Sequence, residues 1–220
     1  MFTSQKHVFW QAFILAVLVF ALGILLGFAL ENWRTNQIQE FYQQSELNLL
    51  DIRIQNDIYS LSSIDCNQLI AENIDFGNQI YEQAKLLDQY ESASKLSNSI
   101  VLEHKKYDLL RALFWANAIK TKEKCNAPYH NVVYLYSYNT KDLTIKAKQT
   151  VFSRILGELK QEKADKIMLI PLSGDNNLSS VRLMMNLYNI TEKELPVILI
   201  NEKTKITSLE SKEQIASLIN

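Results

Sequence analysis

Residues 8 to 30, "VFWQAFILAVLVFALGILLGFAL", hold one clearly polar side chain, Gln11, in 23 positions. As a helix this run is about 34 Å long at about 1.5 Å per residue, enough to cross a hydrocarbon layer about 30 Å thick. It lacks the polar stripe that the surface helix of a soluble protein turns to water. It also exceeds the roughly 7–15 apolar residues of a signal peptide, so Gly27-Phe28-Ala29 reads as part of an uncleaved anchor rather than as a cleavage site. The expectation is a single span at 8–30 behind a short tip at 1–7. Lys6 and the amino terminus precede the span, whereas Glu31 and Arg34 cancel after it. The positive-inside bias therefore places the tip in the cytoplasm and the body on the outer side of the cell membrane.

Lys6 is the only formally charged side chain before Glu31, so residues 31–220 carry 22 bases against 24 acids, a net charge of −2. The bases are scattered rather than gathered in a stripe, which argues against a nucleic-acid partner. With 47% apolar and 21% charged residues the body is globular, not disordered. Five glycines in 220 residues leave little material for phosphate-cradling loops. Within the span, Gly23 and Gly27 form a GxxxG pair, and Ala12 and Ala16 repeat the small-residue spacing. Such a face lets two helices approach closely, so a homodimer through Gly23 and Gly27 is one expectation for the assembly.

Between Gly27 and Pro128 the only breaker is Gly77, and a hundred residues so composed are helical. Ile38, Phe41, Leu49, Ile52 and Tyr59 fall at helical spacing, continuing the membrane helix outward as an amphipathic stalk. Asp65, with Gln68 three residues on, reads as the cap of a second helix. Its stripe is Ile70, Ile74, Gly77, Tyr81, Ala84 and Leu87. After the break "YESASKLSNS" a third helix carries Leu96, Ile100, Tyr107, Leu110, Phe114 and Ala118, with His104 beside the stripe as a boundary residue. Two antiparallel helices bring the start of the first beside the end of the second, where Cys66 and Cys125 stand. Outside the cytoplasm they would form a structural disulfide; the alternative is two unpaired thiols. No histidine or further cysteine lies at ligand spacing, so neither metal nor cofactor is implied.

From residue 131 the period changes to that of strands. "VVYLYSY" (132–138) and "KIMLIPLS" (166–173) are separated by a helix through Ala147, Val151, Ile155 and Leu159. A short helix with Val181, Met184 and Leu187 follows, then "PVILIN" (196–201), "TKITSL" (204–209) and a last helix opened by Ser211 and Gln214. The order is β-α-β-α-β-β-α, with parallel strands first and a closing hairpin.

That order, with Ile190 leading into Leu195-Pro196-Val197, resembles the thioredoxin fold over about residues 131–219. The division that follows is a tip (1–7), a span (8–30), a helical stalk and hairpin (31–127) and an α/β thioredoxin-like domain (128–220). In that family the proline before the third strand is cis, and the backbone of its predecessor pairs with an extended substrate peptide. The resemblance implies that role for Leu195 and Pro196; a proline at a strand's first residue also withholds no needed donor. It further places the catalytic Cys-x-x-Cys after the first strand. There this sequence departs from the pattern, reading Thr140, Lys141, Asp142 and Leu143. Neither Thr140 nor Leu143 can form a mixed disulfide, and Thr140 or Asp142 is expected to cap the following helix. The reading is a membrane-tethered thioredoxin-like protein without its redox centre, holding an as yet unidentified protein partner. Two alternatives stay open: thiol-disulfide exchange by Cys66 and Cys125, and a dimeric membrane scaffold.

Overall fold

The computed structural model describes residues 5–58, 65–93, 98–138 and 140–219. Tyr59 and Leu96, and the side chains of Ile38, Phe41 and Ile100, lie outside what it describes. The chain divides into two compact units, Met1–Gln44 and Ser45–Asn220.

The first unit is helix throughout its described part. It belongs to α1 (Gln5–Ile58). From Val8 to Leu30 the side chains are exposed on every side, and the segment is long and apolar enough to cross a membrane. A helix apolar all round without burial suits a hydrocarbon solvent rather than water.

In the second unit, α2 (Cys66–Ala93) and α3 (Asn98–Cys125) form the hairpin. Asp65 opens α2, its carboxylate accepting the Asn67 N–H at 2.9 Å. Asn126, at φ 48°, stops α3 in the left-handed conformation that asparagine tolerates. The Cys66–Cys125 disulfide joins these two ends across a Cα separation of 5.4 Å. The buried face of α2 is displaced from the predicted stripe: Leu69, Asn73, Phe76, Ile80 and Leu87 are buried, while Ile70, Ile74, Tyr81 and Ala84 are half-buried. The reason is that α2 has neighbours on two sides. One is α3 and the other is the sheet: a Cβ at Gly77 would stand 2.9 Å from Phe114 Cζ of α3 and 2.7 Å from Met168 Sδ on the sheet.

The sheet is built from β1 (His130–Tyr136), β2 (Ile167–Ser173), β3 (Val197–Ile200) and β4 (Thr204–Ile206) in the order β2-β1-β3-β4. Between them stand α4 (Leu143–Lys163) and α5 (Ser179–Leu187), and α6 (Lys212–Ser217) closes the chain. The first strand thus begins two residues earlier than predicted and the fourth is shorter. β1 pairs parallel with β2 and antiparallel with β3. Central and covered on both faces, β1 is a nearly unbroken apolar run, as such strands are. Pro171 is tolerated within β2 because β2 is an edge strand.

One face of the sheet, with Val132, Leu169, Ile198 and Ile200, packs on Phe152, Leu156 and Leu159 of α4 and on Ile215 of α6. The Ser211 and Gln214 capping box that opens α6 is present in full. On the other face Val133, Leu135, Met168 and Leu199 are buried, with the hairpin packed against β1 and β2 and α5 packed on α3. Helix α2 reaches both faces: Gly77 meets Met168, while Asn78 accepts Lys160 Nζ of α4 at 2.8 Å. It thereby shields the open edge of β2, which would otherwise present unpaired backbone groups.

Candidate functional site

β1 is the point where the chain turns from one side of the sheet to the other, to β2 and then to β3. In α/β sheets the crevice beyond such a strand's carboxyl end is where ligands collect. Here that end is occupied by a polar network anchored on α3. His104, Asp108 and Arg111 repeat at helical spacing and are all buried. Asp108 is the hub. Its carboxylate accepts the Ser173 N–H at 3.3 Å and Asn176 Nδ2 at 2.5 Å, and lies 3.4 Å from both His104 Nε2 and Arg111 Nη1. Burial pushes the Asp108 carboxyl above the usual range, against the pull of His104 and Arg111. Burial likewise pushes the Tyr107 hydroxyl up to about 12, and the Arg111 guanidinium stacks over that ring at 4.0 Å.

The network continues into the strand ends. Tyr136 Oη lies 3.0 Å from His104 Nε2, and the Tyr138 ring stacks on the His104 ring at 3.9 Å. Asp175 accepts Ser137 Oγ, the Tyr138 N–H and Ser173 Oγ, tying the ends of β1 and β2 together. His104 is therefore no boundary residue. Sequence reasoning missed it because its partners stand four residues away on the same helix and thirty-two away on β1. Beside the network, between α2, α4 and the β1–β2 face, opens a cavity of about 650 Å³. Its signal in the sequence was the alternation of Tyr134, Tyr136 and Tyr138, which sends three phenols the same way.

Thr140 to Leu143 lie outside this network. Asp142 is the cap of α4, accepting the Thr144 N–H at 2.7 Å and the Ile145 N–H at 3.3 Å. Thr140 Oγ1 accepts the Asp142 N–H at 3.3 Å. Lys141 and Leu143 are exposed, Leu143 at 79%. Asp142 thus fills the helix terminus. The Leu195–Pro196 peptide bond is cis, and both side chains are buried. Leu195 packs against Gly174, where a Cβ would stand 2.9 Å from a Leu195 δ-carbon. Gly23 and Gly27 lie on the exposed apolar part of α1, and a Cβ at either would meet nothing within 4 Å. Among the described residues no three His, Cys, Asp or Glu side chains converge as a metal site.

The chain is thus a mixed α/β protein with a four-stranded sheet, a disulfide-closed helical hairpin and an apolar N-terminal helix able to span a membrane. Comparison with protein-family profiles finds no match, and comparison with curated proteins and with solved structures finds none that is significant.

Proposed function

We propose that this chain is a membrane-tethered, extracytoplasmic thioredoxin-like protein that binds a protein partner and performs no thiol-disulfide exchange. The observation that carries the reading is the β2-β1-β3-β4 sheet, in which β1 runs parallel to β2 and antiparallel to β3. Where a redox member of that fold needs a thiolate at the start of the helix after β1, this chain has Asp142 as the cap. Both cysteines are committed to the hairpin, at a distance in sequence from that loop. The exposed stretch around Lys141 and Leu143 is the surface offered to the partner.

The test is site-specific photocrosslinking in the native membrane. A photoreactive residue at Lys141 or Leu143 is expected to give a discrete adduct, and one at Glu213 on α6 none. In parallel the purified chain is expected to leave insulin disulfides intact. Insulin reduction that disappears in Cys66→Ser would replace binding by exchange chemistry, and equal crosslinking at all three positions would remove the loop as the contact surface.

A further inference from the structure

The cavity beside β1 has features that the reading above does not use. Its volume of about 650 Å³ falls within the range of about 300–1,000 Å³ that small-molecule sites occupy. Lys85, Arg111, Lys146 and His104 line it, and among the described residues no Asp or Glu does. Two described carboxylates stand close by and are engaged: Glu82 holds Lys85 at 2.9 Å, and Asp108 serves Ser173 and Asn176 as well as Arg111. Among the described residues the Lys146 ammonium has no ion-pair partner. Arg111 is only 3% exposed, and its Nε carries no hydrogen bond. Held by Asp108 and over the Tyr107 ring, the guanidinium lends the cavity a fixed positive charge.

The rest of the lining is flat and apolar. Tyr81, Tyr134, Tyr136 and Tyr138 supply four rings, with Leu156 and Leu169 between them. Rings in this number favour an aromatic guest through offset and edge contacts, beyond the area they bury. A cleft lined by one sign of charge with apolar walls also focuses the field on what enters it.

We propose that this cavity binds a small aromatic carboxylate, its ring among the tyrosines and its charge in the field of Arg111, Lys85 and Lys146. The proposal is independent of the partner surface, since the lining includes neither Thr140 to Leu143 nor Leu195 and Pro196.

The structure also supplies a clean way to close the site. Gly157 lines the cavity, and a Cβ there would meet only Tyr81 Oη, at 3.7 Å. Gly157→Leu therefore grows into the cavity while improving the helix propensity of α4. The experiment is isothermal titration of the full chain in phosphatidylcholine nanodiscs with 2-naphthoate, 2-naphthylmethanol and 2-naphthylmethylamine. Naphthoate is expected to bind about tenfold or more tighter than either analogue, less tightly at high salt, and to lose about tenfold in Gly157→Leu with the thermal midpoint retained. Lys146→Gln, an exposed change, should weaken naphthoate and leave naphthylmethanol unaltered, and it decides the matter if Gly157→Leu does not fold. Equal affinity for the three probes, no naphthoate binding at millimolar concentration, or naphthoate binding unchanged in the folded variants would each overturn the proposal.

Discussion

Glu202 holds a backbone conformation that costs a glutamate energy, φ 58°, directly after Asn201 at φ 50°. The two make the β3–β4 turn, closed by the Lys203 N–H on Ile200 O at 3.1 Å. Such a turn favours Asn-Gly, so a side chain at 202 must repay its presence. It does so by accepting Trp115 Nε1–H at 3.0 Å and Asn131 Nδ2 at 3.1 Å, which links the turn to α3 and to β1. Glu202→Ala is expected to lower unfolding free energy by about 2 kcal/mol in urea titration, by stranding those donors. Glu202→Gly should cost about 1 kcal/mol less, because it relieves the backbone. Burial raises the Glu202 carboxyl above its usual range. Its contribution is therefore full below the unfolded-state value near 4.5 and is lost as pH rises through the folded value. The stability advantage of wild type over Glu202→Gln should accordingly shrink as pH rises above the unfolded-state value near 4.5. Asp108 is the other exacting position: Asp108→Ala leaves buried Arg111, Asn176 and the Ser173 N–H without their acceptor and should cost about 3–5 kcal/mol. Neither residue was legible in the sequence. Helical spacing brings His104 and Arg111 to Asp108, but the other donors to both carboxylates stand 65 to 87 residues distant, and no local period records them.

At the scale of elements the sequence carried more. Strand periods, the Asp65 and Ser211 caps and the scarcity of breakers before Pro128 are local signals, and the element order from β1 to α6 followed from them. What escaped was the second neighbour of α2. A stripe centred on Ile70, Ile74 and Tyr81 describes a helix with one partner, whereas this one sits between α3 and the edge of β2. The two helical glycines separate these environments. Gly77→Ala brings a methyl group against Met168 and Phe114, both fully packed, and is expected to lower stability by about 1–2 kcal/mol despite its helix propensity. Gly157→Ala meets only Tyr81 Oη and should raise stability by about 0.5–1 kcal/mol in the same titration. The hairpin adds its own constraint: the Cys66–Cys125 bond spans 59 residues, and Cys66→Ala with Cys125→Ala is expected to cost about 4 kcal/mol through the freed unfolded chain.

For the whole molecule, the apolar helix and the disulfide constrain each other's setting. An exposed apolar surface 23 residues long is an aggregation hazard in water and an anchor in lipid. A disulfide closing a helical hairpin persists where thiols oxidise, and is reduced in a glutathione-rich cytoplasm. The proposed placement of the body beyond the membrane rests on these two features and on the charge that precedes the span in the sequence, and it makes a definite prediction. Cells expressing the full chain are treated with a membrane-impermeant maleimide of high mass, before and after an impermeant phosphine reductant, and the chain is then resolved by size. No tag is expected without reductant and two tags with it, since Cys66 and Cys125 are the only cysteines. Two tags appearing only after the membrane is permeabilised, with no reductant added, would place the body in the cytoplasm. In that event the hairpin would have to hold without its bond, at a stability lower by the same 4 kcal/mol or so. The topology and the energetics of the fold are thus decided by one measurement, because one covalent bond reports on both.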